Sequence, residues 1–289
     1  MKVSSEFPFG KALSDACMQY GRLCAGIDPH AKLLRAWGLD DSIVGLERFT
    51  AICVEAFAGR VAVVKPQVAF YESFGSSGFK ILEEAIEELR HKGTLVIADA
   101  KRGDIGSTNQ GYADAWLSEQ SLLACDALTV SPYLGVSALE PLFAAAEETG
   151  KGLFVLARTS NPEGAEIQSA LVQPANTIND KSKQITVAQS IVDYIAEKNA
   201  GQRAKFGIGS YGVVVGATVK QPPFLVDLCG PVLMPGVGAQ GATAADIRRI
   251  VGDSGTLGIP NVSRAILSAG PEIESLTAVL QQFNKDYLD

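Results

Sequence analysis

The segment Val96-Ile-Ala-Asp99-Ala-Lys101-Arg-Gly-Asp104-Ile-Gly-Ser-Thr108 carries charges of alternating sign directly after the apolar run Leu95–Ala98. An isolated charge in such surroundings is costly unless it is paired or put to use. Residues two apart on a strand share a face, so Asp99 and Lys101 are expected to project together, with Asp104 just beyond in the turn and all three converging on one spot. Such a convergent set of charges after an apolar run reads as functional. A surface salt bridge is the plainer alternative, but it accounts for a pair of charges and not for this set.

Other residues suit the same kind of site. Lys65 ends the run Val61-Ala-Val-Val-Lys65, and a strand buried on both faces has no solvated side for a lysine; snorkelling from the strand end is the alternative. Asp28 ends another apolar run and could equally cap the helix that follows. Pro235-Gly-Val-Gly-Ala-Gln240-Gly is a glycine-rich loop whose bare backbone N–H groups can approach an anion. Arg264 follows the last apolar run, and a guanidinium matches phosphate oxygens two at a time. His30 could border the site, and His91 reads as solvated surface. No Cys or His cluster has metal-ligand spacing, and no nucleophile–histidine motif of a hydrolase is present.

Elements that could position these residues follow from the hydrophobic pattern. Eight short apolar runs (Leu23–Asp28, Val61–Lys65, Thr94–Lys101, Ala127–Pro132, Gly152–Thr159, Tyr211–Thr218, Val232–Val237 and Leu257–Val262) are bounded by Gly, Pro or polar residues. Several are continuously apolar, as parallel strands buried on both faces are. Segments of helical spacing alternate with them: Ile43–Ala58, Phe79–Lys92, Tyr112–Leu123, Val136–Glu148, Lys183–Asn199, Pro223–Cys229, Ala242–Val251 and Glu272–Tyr287. In the second, Phe79, Leu82, Ile86 and Leu89 share a face, while Glu83, Glu84, Glu87 and Glu88 fall largely on others. Eight strand–helix alternations predict an α/β fold, a single-domain (β/α)8 TIM barrel over residues 1–289, with an open doubly wound sheet as the competing architecture. Ser160–Ser182 is too long for a connector and is expected to lie over the strands' C-terminal end, with a tolerated surface insertion as the alternative.

Composition narrows the function classes. The chain has 289 residues, 47% hydrophobic and 20% charged, which is rich enough for a large core and excludes disorder. Its net charge of −7 disfavours nucleic acid or an anionic membrane as a partner. Five scattered cysteines, none at C-x-x-C spacing, read as buried hydrophobes in a reducing cytoplasm. The first residues carry Glu6 and Pro8 rather than a charged and then apolar leader, and no apolar run is long enough to span a membrane, so a soluble cytoplasmic protein is expected.

The Asp99-x-Lys101-x-x-Asp104-Ile pattern resembles the signature of the orotidine 5'-phosphate decarboxylase family, and further motifs agree in order from Asp28 to Arg264. Asp28 in Gly-Ile-Asp-Pro, Lys65 in Val-Val-Lys-Pro, Ser160 in Arg-Thr-Ser-Asn-Pro, Gln240 in the glycine-rich loop and Ser263-Arg264 match the family's site positions, and the Ser160 segment looks like the longer bacterial form. The resemblance implies decarboxylation of orotidine 5'-monophosphate to uridine 5'-monophosphate in pyrimidine biosynthesis, without metal or organic cofactor. By the same resemblance Lys101, Asp99, Asp104 and Lys65 are catalytic, while Asp28, Thr108, Ser160, Gln240, Ser263 and Arg264 bind substrate. Asp104 and Thr108 would be lent by the partner subunit of a homodimer with shared sites. Two alternatives stay open on sequence alone. One is a Mg²⁺-dependent sugar-phosphate decarboxylase of the same superfamily, which should carry an acidic ligand where Lys65 stands. The other is a non-catalytic barrel that binds nucleotide phosphates.

Overall fold

The apolar runs do form strands, and the strands close on themselves. The computed structural model describes residues 3–173, 184–252 and 256–287. Strands β1 (Cys24–Ile27), β2 (Val63–Pro66), β3 (Leu95–Arg102), β4 (Ala127–Val130), β5 (Gly152–Arg158), β6 (Tyr211–Val215), β7 (Pro231–Pro235) and β8 (Leu257–Val262) form one parallel barrel. Cys24 of β1 pairs with Val63 of β2 on one side and Asn261 of β8 on the other, which excludes the open sheet. β1, β2, β4 and β6 are buried at every position, as two-sided cover by side chains inside and helices outside requires.

One core lies between barrel and helices, and a second fills the barrel itself. Residues such as Val63, Leu95, Ile97, Phe154, Leu233 and Ile259 pack the interior. The helix Phe9–Tyr20 joins that inner core and plugs the barrel at the strands' N-terminal end. Its Phe9 ring meets Phe154 edge-on at 5.9 Å, and a Cβ on Gly152, at the start of β5, would stand 2.3 Å from that ring. None of the expected elements covers this segment.

Several helix assignments shift. The helix expected from Phe79 begins at Gly75, where Gly78 lets it approach Tyr71: a Cβ there would sit 2.0 Å from the Tyr71 carbonyl. The helix expected over Tyr112–Leu123 instead spans Gly106–Trp116. Beyond it Ser121 turns its hydroxyl on the Ala115 carbonyl and accepts from the Leu123 N–H, local bonds that compete with helix, and Leu122 is left exposed. Residues 223–229 form no helix; the Gln189 side chain instead holds Phe224 by both its N–H and its carbonyl. Of the five cysteines, Cys229 is only half-buried.

The insertion at 160–182 carries more order than an irregular loop. A short helix, Gly164–Gln168, is tied back to β5, as Gln168 accepts from the Thr159 N–H at 2.9 Å. Leu171–Val172 pairs antiparallel with Ile185–Thr186. Positions 174–182 of the expected insertion lie outside the described residues.

Candidate active site

The strands' C-terminal ends surround a cavity of about 330 Å³. Its walls include Asp28 after β1, Lys65 on β2, Asp99 and Lys101 on β3, Ser160 after β5, Gln240 after β7, and Ser263 and Arg264 after β8. Loops from most strands thus meet at one mouth, the face on which barrel enzymes carry their chemistry.

Asp99 is the hub. Lys65 Nζ donates to its Oδ2 at 2.6 Å, Lys101 Nζ to its Oδ1 at 2.6 Å, and the Thr129 hydroxyl to the same Oδ1 at 3.0 Å. Burial alone would raise the Asp99 pKa, but Lys65 and then Lys101 outweigh it and hold the carboxyl well below the usual carboxylate range. Burial likewise works against charge on Lys65, and Asp99 and then Asp28 overcome it, so its ammonium is held above the ordinary lysine range. Lys65 is only 4% exposed, which overturns snorkelling as its explanation.

The route by which Lys101 reaches Asp99 differs from simple strand alternation. Ala98 pairs with Leu128 and Arg102 with Val130, so Asp99, Ala100 and Lys101 stand opposite Thr129 alone in a bulge. Lys101 takes a left-handed backbone, φ 49°. For a non-glycine residue this costs on the order of 1–3 kcal/mol and persists only where surrounding contacts impose it.

Asp28 does not cap the following helix. His30 does so, its Nδ1 accepting from the Leu33 N–H at 3.3 Å. Asp28 instead takes a 2.6 Å hydrogen bond from Ser263 on Oδ2, while its buried Oδ1 has no partner. Ser263 comes this close because Gly26 is bare; a Cβ there would lie 2.7 Å from the Ser263 Cβ. Ser160 Oγ lies 3.2 Å from Gln240 Oε1, which joins the β5 and β7 loops. Gly236 turns at φ 106°, and a Cβ on it would press on Gln240 at 3.0 Å. Arg264 faces the cavity, and no carboxylate of the described residues pairs with it. The lining therefore holds Lys65, Lys101 and Arg264 against Asp28 and Asp99, an excess of positive charge in a chain of net charge −7.

Asp104 and Thr108 are not brought into this cavity. The convergence expected of Asp104 with Asp99 and Lys101 does not occur within one chain, because Asn109 diverts the backbone. Its buried amide accepts from the Asp104 N–H and donates to the Asp104 and Ala138 carbonyls. Thr108 is exposed on the helix Gly106–Trp116. Gln67, Thr129 and Asn261, which are not among the expected site residues, also line the mouth. A polar residue inside an apolar run, as in Leu128-Thr129-Val130, was the available signal. Among the described residues no helix is long and apolar enough to cross a membrane, and no three His, Cys, Asp or Glu side chains are grouped to hold a metal ion.

A closed (β/α)8 barrel with a buried Lys–Asp–Lys array and an unneutralised arginine at the same mouth defines a barrel enzyme with its charges poised at the strand ends. Which chemistry such a barrel performs is a matter of lineage as well as geometry. The chain belongs to the orotidine 5'-phosphate decarboxylase / HUMPS family, whose profile matches residues 21–279. It is 54% identical over 268 residues to the orotidine 5'-phosphate decarboxylase of Corynebacterium glutamicum (strain R), covering 93% of each chain. With that of Corynebacterium efficiens it shares 53% identity over 274 residues, 95% of each. Among solved structures it is similar to a Streptomyces avermitilis protein assigned as an orotidine 5'-phosphate decarboxylase, with a TM-score of 0.90 and 47% identity over 99% of this chain and 96% of that one.

Proposed function

We infer that this chain decarboxylates orotidine 5'-monophosphate to uridine 5'-monophosphate. The observation that carries the reading is Asp99 held between Lys65 and Lys101 at the barrel mouth, in a chain 54% identical to a decarboxylase of this name. Loss of CO₂ from C6 leaves an electron pair on carbon with no adjacent carbonyl to take it up. Lys101, whose side chain is 44% exposed toward the mouth, stabilises that charge and then delivers a proton to C6. Asp99 lies beside the departing carboxylate. Two like charges about 4 Å apart repel by roughly 4 kcal/mol at an effective dielectric near 20, and the repulsion ends as CO₂ leaves.

The rest of the mouth grips the parts of the substrate that do not react. Asp28 and Lys65, both in the cavity wall, hold the ribose hydroxyls, and Ser160 holds the pyrimidine. Gln240 and Arg264 hold the phosphate, with Ser263 fixing Asp28. This remote binding energy serves the chemical step. No metal or organic cofactor is needed, and the protein works in the cytoplasm on a small molecule, without nucleic acid or membrane as partner.

Asp104 and Thr108 complete the site from the second subunit of a homodimer. Supporting this are their position outside the chain's own cavity and an apolar rim beside them, with Ile105 61%, Tyr133 76% and Leu134 55% exposed. The whole chain acts as one barrel domain. The test is the fall in orotidylate absorbance on adding protein, with uridine 5'-monophosphate identified as the product and a chelator present in one arm. No fall sinks the reading, and loss of activity with the chelator favours a metal-dependent relative. Mixing Asp104→Ala with Lys101→Ala protein, each inactive alone, is expected to restore about a quarter of wild-type activity, since random C2 pairing makes half the dimers mixed and each has one intact site. Proven subunit exchange without returning activity refutes the shared site.

A further inference from the structure

We propose that Thr129 is a positioning residue for the decarboxylation, its one hydroxyl fixing both ends of Lys101 relative to Asp99. The proposal rests on the assignment of Asp99 and Lys101 as the reacting pair. Thr129 sits on β4, 1% exposed, and is the single residue facing the three-residue bulge of β3. In an unbroken ladder the Lys101 N–H would bond a β4 carbonyl; here it donates to Thr129 Oγ1 at 2.9 Å. The same oxygen donates its proton to Asp99 Oδ1 at 3.0 Å, with the Ala98 carbonyl more distant at 3.5 Å. A hydroxyl has one proton and two lone pairs, so accepting from an amide while donating to a carboxylate uses it without conflict.

The result is a closed ring of contacts. Asp99 Oδ1 receives Lys101 Nζ as well as the Thr129 hydroxyl, so the Lys101 backbone is tied directly to the Thr129 oxygen on the neighbouring strand and its ammonium is tied to it through Asp99 Oδ1. That ring provides what the left-handed backbone at Lys101 requires, namely a partner for an amide the bulge has taken out of the ladder. It also fixes the plane of the Asp99 carboxylate, because Lys65 holds the other oxygen. A β-branched side chain suits the task, since Thr has few χ1 rotamers and its hydroxyl is thereby aimed. Valine has the same shape and no hydroxyl; serine has the hydroxyl and looser aim.

Errors of about 1 Å in placing a reacting group can cost on the order of a hundredfold in rate. Thr129→Val is therefore expected to lower kcat at least thirtyfold, while KM and the Kd of uridine 5'-monophosphate stay within threefold of wild type. Thr129→Ser is expected to recover kcat to within fivefold. Exchange of the product's C6 hydrogen for solvent deuterium, the reverse of the protonation step, should slow with kcat in the valine variant. Lys101→Ala is measured alongside. If it turns over normally, the reading of the reacting pair itself has failed. If it is inactive while Thr129→Val keeps kcat within threefold, only the role of Thr129 is overturned. A serine variant as slow as the valine variant also overturns it, because a retained hydroxyl would then not be enough to restore the rate. Should the valine variant not fold, judged by circular dichroism, Thr129→Ala takes its place with the same criteria.

Discussion

Two buried charge networks sit at opposite ends of this barrel, and they are built differently. At the base, Asp126 and Lys151 precede β4 and β5. Arg90 bridges Asp126 at 3.0 Å and Glu119 at 2.9 Å, Lys151 reaches Glu119 at 2.9 Å, and Asp126 also accepts the Val96 N–H. These contacts tie the starts of three strands to the helix Gly75–His91. At the mouth, Lys65, Asp99 and Lys101 are as closely paired, but they line a cavity beside Arg264, with which no carboxylate of the described residues pairs. Burial and ion pairing are common to both networks and so do not mark function. What separates them is charge balance: two cations meet two carboxylates at the base, whereas three cations meet two carboxylates around the mouth cavity, which leaves a positive charge for an anionic ligand.

The comparison is most sharply tested at Lys101. Lys101→Ala is expected to reduce kcat by about a thousandfold or more, as loss of a proton donor and its field does. The thermal midpoint should hardly move and uridine 5'-monophosphate should still bind. Near-normal kcat would remove Lys101 from the mechanism and leave the mouth network as structural as the base.

Arg264 comes next. Removing one partner of a charge-assisted pair typically costs about 2–5 kcal/mol, and about 1.4 kcal/mol is one decade. Arg264→Ala should therefore lower kcat/KM for orotidine 5'-monophosphate at least tenfold while changing little with the phosphate-free nucleoside. An equal loss on both substrates would mean a fold defect instead of a lost phosphate contact.

The smallest effect belongs to the base. Glu119→Gln leaves Lys151, itself fully buried, with a weaker partner. Glu119 is partly solvated, so the cost should be only about 1–2 kcal/mol, a shift of a few degrees in thermal midpoint, with kcat per folded molecule unchanged. Burial would raise the Glu119 pKa, but Lys151 and Arg90 bring it down to about 2. A depressed carboxylate contributes fully above its unfolded pKa, about 4.3, and its contribution is lost as pH falls toward the folded value. The stability gap between wild type and Glu119→Gln should therefore be present at neutral pH and close between about pH 4 and about pH 2. A gap unchanged across that range would deny the ion pair its role, and a fall in kcat would break the separation of base from mouth.

The sequence by itself determined the barrel and the chemical residue types at its mouth. Parallel strands covered on both faces must be apolar throughout, so runs such as Val61–Val64 and Leu95–Ala98 stand out, and a charge that ends such a run, Lys65 or Asp99, is conspicuous because nothing bland accounts for it. Helices too short to show a period, Ala31–Ala36, Val68–Glu72 and Arg264–Leu267, left no comparable trace. The plug helix Phe9–Tyr20 buries Phe9, Ala12, Leu13 and Cys17 at helical spacing, yet its place follows only from the closed barrel end that it fills. The same holds within the site. Their spacing in the sequence points Asp99 and Lys101 to one spot, but the bulge that in fact joins them, the Thr129 hydroxyl that satisfies it and the turn at Asn109 that carries Asp104 away depend on neighbouring strands. Residue identity fixes which groups can bond; which of them are left without a backbone partner, and so must find a side chain, is decided by the register of strands distant in sequence.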